Sequence, residues 1–97
     1  MRKAYILIFS DGTGGRETVK AWANREPAVL HWRHDMPHSF YLISEQDASK
    51  LSTSFINFNG KKGRFLIIEA GDNRQGLLPN ETWYLLRNKQ QKPKNGS

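Results

Sequence analysis

The sequence contains no cysteine, which excludes disulfide bonds, thiol nucleophiles and thiolate metal sites. It also lacks a long apolar run, because its longest one covers only residues 4–9 and a membrane helix needs roughly 20 apolar residues. The basic residues near the N-terminus are not followed by an apolar segment of signal-peptide length. We therefore expect a cytoplasmic protein that has no membrane partner.

Acidic residues are scarce relative to basic ones. The 97 residues include 15 lysines and arginines against 9 aspartates and glutamates, and the net charge of +6 favours polyanionic partners. Part of this charge lies at the C-terminus, where Arg87, Lys89, Lys92 and Lys94 are accompanied by no acid. Since the length suits one domain, we predict a single domain over residues 1–88 and a basic, disordered tail over residues 89–97.

The hydrophobic pattern predicts an α+β domain. Stretches that are apolar on both sides, or that alternate, indicate four strands at residues 3–10, 28–34, 39–44 and 64–69. Apolar residues at helical spacing indicate one helix over residues 16–24 and a second helix, which has Ala48, Leu51, Ser52 and Phe55 on its buried face and ends at Asn59 and Gly60. Ser44 and Asp47 resemble a capping box for the second helix. A short third helix is predicted near the C-terminus, with Asn80 as its N-cap.

The succession of strand, helix, strand, strand, helix, strand is that of the ferredoxin-like split βαββαβ plan. This plan has an antiparallel four-stranded sheet in the strand order 4-1-3-2, with two helices on one face. Three predicted strands are apolar on both sides, so the helices leave the apolar side chains of the other face uncovered. We expect residues 77–86, a second copy of the chain, or both to cover that face.

The same plan predicts which loops meet. The fourth strand runs antiparallel to the first, so we expect Lys61, Lys62 and Arg64 to lie beside Asp11, where the first strand ends. We expect the polar turn of residues 34–38 at the opposite end of the sheet, too far away to share a site with Asp11.

Asp11 is the candidate catalytic and metal-binding residue. Its carboxylate is a hard oxygen ligand that suits Mg²⁺ and, through the metal, phosphate oxygens. The alternative is an acid in a turn that accepts hydrogen bonds from the amides after it.

A candidate anion pocket combines the glycine-rich loop before the first helix with three cations expected beside it. Its members are Gly12, Gly14, Gly15, Arg16, Lys61, Lys62 and Arg64. Amides at a helix N-terminus bind phosphate readily, although this loop has neither the Walker nor the dinucleotide-binding fingerprint. A flexible turn beside a solvated basic rim is the alternative interpretation.

The group His31, His34, Asp35 and His38 contains residue types that bind transition metals. His31 and His34 are predicted to point to opposite sides of their strand, and two histidines with an acid in a turn are typical of ordinary polar surface. We favour that interpretation. No serine stands in the context of a nucleophilic triad.

Four short stretches form a further pattern. They are IFSD at residues 8–11, SFYLIS at residues 39–44, GRFLII at residues 63–68 and GLLPNETW at residues 76–83. In these stretches the chain resembles the small CRISPR-adaptation endoribonuclease-like proteins and their shorter SinR-like relatives. The resemblance implies a ferredoxin-like homodimer in which Asp11 matches the metal-binding acid of the nuclease members. Ser10 stands where those members commonly have a tyrosine, and a flexible loop follows the acid, which argues against nuclease activity.

Two classes of function follow. The first is a small dimeric nucleic-acid-associated protein that binds DNA or RNA, with a degenerate Mg²⁺-dependent nuclease as its enzymatic form. The alternative is a non-catalytic protein-interaction module of the toxin, antitoxin or inhibitor type, which docks a protein partner through its sheet face or edge strand. Because the catalytic set is incomplete, a non-enzymatic function is favoured.

Overall fold

The computed structural model describes residues 1–93. The strands are β1 (Lys3–Phe9), β2 (His31–Met36), β3 (Ser39–Ser44) and β4 (Phe65–Glu69), and the helices are α1 (Gly15–Arg25), α2 (Ala48–Asn59) and α3 (Asn80–Asn88). A short 3₁₀ turn, Asp11–Thr13, lies between β1 and α1. The predicted α+β class is confirmed. Within residues 1–93, no helix has the length and apolar character that crossing a membrane requires.

All neighbouring strands pair antiparallel, in the order β2-β3-β1-β4. Counted from the β4 edge this order is 4-1-3-2, so each predicted pair of neighbouring strands is an observed pair. The register places Ile8 opposite Ser39 of β3 and opposite Leu66 of β4. The strands β1 and β3 are the inner ones, which agrees with their apolar side chains on both faces.

The first face of the sheet packs against α1 and α2. Trp22 of α1 and Phe55 of α2 meet edge to face, with ring centroids 5.2 Å apart. The indole Nε1 of Trp22 donates to Ser54 Oγ at 2.9 Å, and that hydroxyl donates to the Glu26 carboxylate. The buried members of this core are Tyr5, Leu7, Phe9, Val19, Trp22, Ala23, Val29, Phe40, Leu42, Leu51, Phe55 and Ile67.

The second face packs against α3, as predicted for the C-terminal segment. Leu85 and Leu86 form a second core with Ala4, Tyr41 and Ile43 of the inner strands. This helix covers only part of the face. Three further apolar side chains remain substantially exposed beside it, namely Ile8 (47%), Leu66 (54%) and Ile68 (42%).

Two helix starts differ from the prediction. The N-cap of α2 is Asp47, whose carboxylate accepts from Lys50 N at 2.8 Å, whereas Ser44 Oγ accepts from Gln46 N within the preceding loop. The predicted capping box is therefore wrong, because Asp47 lies before the helix and not in its first turn. Asn80 is the first residue of α3 and Pro79 is its N-cap, so the prediction was displaced by one residue.

The region predicted as a tail begins within the described residues. The main-chain oxygen of Lys89 accepts from Arg2 Nη1 at 3.0 Å, and Gln91 Nε2 donates to the main-chain oxygen of Trp32 at 2.8 Å. The rest of that prediction, residues 94–97, lies outside the described residues.

Candidate functional site

The end of the sheet at which β1 finishes brings three loops together. Both β3 and β4 are antiparallel to β1, so both begin where β1 ends. The backbone shows this directly, because Phe9 N donates to His38 O at 3.1 Å and Ser10 N donates to Arg64 O at 2.9 Å. We call this region, formed by residues 10–16, 36–38 and 60–64, the basic end. The prediction that the 34–38 turn lies at the opposite end is wrong, because it overlooked the direction of β3.

Asp11 contacts His38 at the basic end. The distance from Oδ1 of Asp11 to Nε2 of His38 is 2.8 Å, and both side chains are exposed. The amide of Gly14 donates to the main-chain oxygen of Asp11 at 3.0 Å. Within residues 1–93 no group of three or more histidine, aspartate or glutamate side chains is arranged to hold a metal ion. The pair offers one carboxylate and one imidazole ring, whereas Mg²⁺ prefers several oxygen ligands.

The glycine-rich loop is folded as a tight turn. Thr13 N donates to Ser10 O at 3.1 Å, and Thr13 Oγ1 donates to the same oxygen at 2.8 Å. Two amides of the loop, those of Thr13 and Gly14, are therefore already used in backbone hydrogen bonds. The helix α1 begins at Gly15, and Arg16 in its first turn is exposed. The predicted anion-binding glycines thus lie at the basic end, but in a loop whose amides are partly occupied.

Gly63 holds the loop before β4 against this turn. Its φ angle is +69°, and a Cβ there would lie 2.3 Å from Thr13 N and 2.4 Å from Gly12 C. Asn59, at the end of α2, joins the same two loops. Its Nδ2 donates to Thr13 O at 3.3 Å and to Lys62 O at 3.0 Å. The sequence indicated only a helix end at Asn59, so its position between the loops was missed.

Lys61, Lys62 and Arg64 line one shallow depression of about 380 Å³, with Ile56 and Phe65 as its apolar part. The structure therefore brings the three predicted cations together. The depression does not include the glycine-rich loop, which meets it through the contact between Gly12 and Gly63. The predicted set thus forms two adjoining surfaces and not one enclosed pocket.

The histidine group is spread over the sheet. The ring of His34 stacks on Trp32 with centroids 6.0 Å apart, and His38 lies at the basic end. Burial and the nearby charge of Arg2 lower the pKa of His31, which lies towards the other end of β2.

A polar network between β2 and α3 was missed from the sequence. Arg33 Nε donates to Thr82 Oγ1 at 2.7 Å, and Thr82 Oγ1 donates to Asp35 Oδ2 at 2.6 Å. Burial, and then the charge of Asp35, raise the pKa of the neighbouring Tyr41. Only the alternation of charge along β2 signals this network in the sequence, and it does not identify Thr82 as the partner.

The resemblance to the SinR-like proteins remains a prediction that rests on four short stretches of sequence. The chain matches no protein-family model, no curated protein and no solved structure.

Proposed function

We propose that this protein binds nucleic acid without a catalytic role, and that the basic end is its binding surface. The observation that carries the proposal is the shared depression of Lys61, Lys62 and Arg64. These cations lie on short loops that Gly63 and Asn59 fix in place, so little ordering is needed when phosphates bind.

The local charge balance supports a polyanionic partner. Asp11 is the one acid among the residues that define the basic end, and His38 contacts it. The cations at the basic end outnumber this single carboxylate. A nuclease form of the proposal needs further oxygen ligands for Mg²⁺ beside Asp11, so we place the binding form ahead of it.

The architecture supports a ferredoxin-like plan, since the succession βαββαβ is followed by a third helix on the free face of the sheet. Pairing of two chains belongs to the same proposal. We assign it to β4, which is an outer strand and pairs with β1 alone among the strands of residues 1–93. The free backbone groups of such an edge are available for a second strand.

The test is a salt titration of binding to labelled single-stranded and duplex DNA and RNA, with and without Mg²⁺. The double variant Lys62→Gln/Arg64→Gln is compared with Lys20→Gln/Lys50→Gln, which removes the same charge from exposed positions on α1 and α2. Each lost phosphate contact lowers the steepness of the logarithmic salt dependence by about 0.7 to 0.9. We therefore expect a decrease of about 1.5 for the first pair and little change for the second.

Absence of binding to all four nucleic acids at low salt contradicts the proposal. Equal effects of the two double variants contradict the assignment to the basic end. Mass measurement by light scattering over a range of protein concentrations tests chain pairing separately.

A further inference from the structure

The face of the sheet that α3 covers in part contains an apolar groove of about 740 Å³. Ile6, Ile8 and Ile68 form its floor, and Leu78, Trp83 and Leu86 form its wall. The wall exists because residues 70–78 return across this face before α3 begins. The groove is therefore a concave channel beside the helix and not simply a flat uncovered sheet.

The size and lining of the groove suit a small molecule. Small-molecule sites are typically clefts of roughly 300–1,000 Å³, lined mainly by apolar side chains with a few polar groups. The partial exposure of Ile8 and Ile68 leaves the floor open to a ligand. Such a floor favours an apolar chain over a sugar or a nucleotide.

Two buried hydroxyl groups belong to residues that line the groove. Ser39 is 9% exposed and Tyr41 is 3% exposed, and neither Ser39 Oγ nor Tyr41 Oη has a hydrogen-bond partner among the described residues. Buried hydroxyls without a partner are uncommon and call for an explanation. A tyrosine hydroxyl is protonated at neutral pH, since its usual pKa is about 10, and it can donate a hydrogen bond to an acceptor.

The groove has one arginine among its lining residues. Arg74 lines the groove and also an adjoining cleft of about 350 Å³, which it shares with Trp83 and Arg87. Its Nη1 donates to Gly71 O at 2.7 Å and lies 3.7 Å from the exposed carboxylate of Asp72. Glu69 also lines the groove and the charge of Asp35 acts on Tyr41, so recognition of a carboxylate depends on Arg74.

From these observations we infer that the groove binds a fatty-acid-like carboxylate. The apolar chain lies along the isoleucine floor, and the carboxylate accepts hydrogen bonds from the guanidinium of Arg74 and from the buried hydroxyls. This inference goes beyond the proposed function and uses an adjoining surface, which shares Met36 and His38 with the basic end.

The test is a titration of the full chain with decanoate, and separately with decanol, followed by ¹H–¹⁵N NMR below the micelle concentration. We expect saturable shifts confined to the groove and tighter binding of decanoate than of decanol. Loss of a charge-assisted hydrogen bond weakens binding by about tenfold or more, so Arg74→Gln should reduce decanoate affinity by about that factor. It should leave decanol affinity unchanged. Arg25→Gln, an exposed cation on α1 that lies over the Phe58 ring, is the matched control.

Ile68→Ser removes floor area and should weaken the binding of both probes. Shifts that do not saturate, equal affinity for the two probes, or equal effects of Arg74→Gln and Arg25→Gln would each overturn the inference. A two-chain mass that Ile8→Asp reduces to a one-chain mass would instead show that a second copy occupies the groove. No nucleic acid is present in these titrations, so their failure and the failure of the proposed function are separate results.

Discussion

The Nε2 atom of His38 lies 2.8 Å from the Oδ1 atom of Asp11, across the loops that begin β3 and end β1. This contact joins two polar regions that the sequence suggested were at opposite ends of the sheet. The acid at the end of β1 therefore has a histidine ring nitrogen as its side-chain neighbour. Within residues 1–93, Asp11 and His38 are not part of a group of three or more side chains that could hold a metal ion.

Removal of the Asp11 carboxylate should strengthen nucleic-acid binding slightly. The side chain is exposed, and exposed charge interactions are typically worth about 0.2–1 kcal/mol. We expect Asp11→Ala to raise affinity about twofold to fivefold at low salt, since one repulsive charge is lost beside Lys62 and Arg64. Asp72→Ala, another exposed acid away from the basic end, is the control. A large loss of binding in Asp11→Ala that depends on Mg²⁺ would favour the metal-dependent form instead.

Gly63→Ala should destabilise the fold. At φ +69° the new Cβ would lie 2.3 Å from Thr13 N and 2.4 Å from Gly12 C, so the two loops of the basic end would have to separate. Backbone strain of this kind typically costs about 1–3 kcal/mol, and the steric overlap adds to it. Urea denaturation measures the change in the free energy of unfolding.

Gly71→Ala is the matched control for Gly63, because a Cβ at Gly71 meets nothing within 4 Å. We expect its stability to stay within about 0.5 kcal/mol of the wild type. Equal stability of the two variants would show that Gly63 does not hold the loops together.

The hydrophobic periodicity of the sequence was sufficient to predict which helices and strands form, but not the residues at which each begins and ends. Helix α1 and strand β3 were predicted almost to the residue, because their apolar residues repeat with the right period. Strand β2 was predicted too early, over 28–34. The side chain and main chain of Glu26 hold the amides of Ala28 and Val29 in a turn, so the strand begins at His31. These hydrogen bonds of Glu26 cannot be predicted from the hydrophobic periodicity of the sequence.

The cations of the basic end were predictable because an antiparallel β4 must begin where β1 ends. The same argument applied to β3 would have placed His38 beside Asp11. The role of Asn59 depends on two long-range hydrogen bonds, and the groove depends on the path of residues 70–78. Neither feature follows from local sequence preference.

Thr82→Val should loosen the attachment of α3 to the sheet. Valine keeps the shape of threonine, but it removes both the acceptor for Arg33 Nε and the donor to Asp35 Oδ2 in a fully buried position. Arg33 Nε and Asp35 Oδ1 lie 3.4 Å apart and stay paired with each other, so we expect the lost hydrogen bonds to cost about 1 kcal/mol, which urea denaturation should show. Thr53→Val, at an exposed position of α2, should change stability by less than about 0.5 kcal/mol. Equal changes in both variants would contradict the anchoring role of Thr82.

Glu26 should make the stability of the fold depend on acid pH. The hydrogen bond from Ala28 N to its carboxylate, followed by that from the Ser54 hydroxyl, lowers the pKa of Glu26 below its usual value of 4.5, against the opposing effect of burial. The folded state therefore favours the ionised form. Its contribution to stability is present above the unfolded pKa and is lost as the pH falls through the lower, folded pKa.

Urea denaturation between about pH 3 and about pH 6 tests this dependence. Where the unfolded state binds more protons than the folded state, the free energy of unfolding falls as the pH is lowered. We expect the free energy of unfolding of Glu26→Gln to fall less steeply over this range than that of the wild type, because glutamine cannot take up the proton. The variant should also be less stable near neutral pH, where the charged acceptor is lost. Glu45→Gln, at an exposed position before α2, should retain the wild-type slope. If Glu26→Gln retains that slope as well, then ionisation of Glu26 is not coupled to the junction that it forms between α1 and α2.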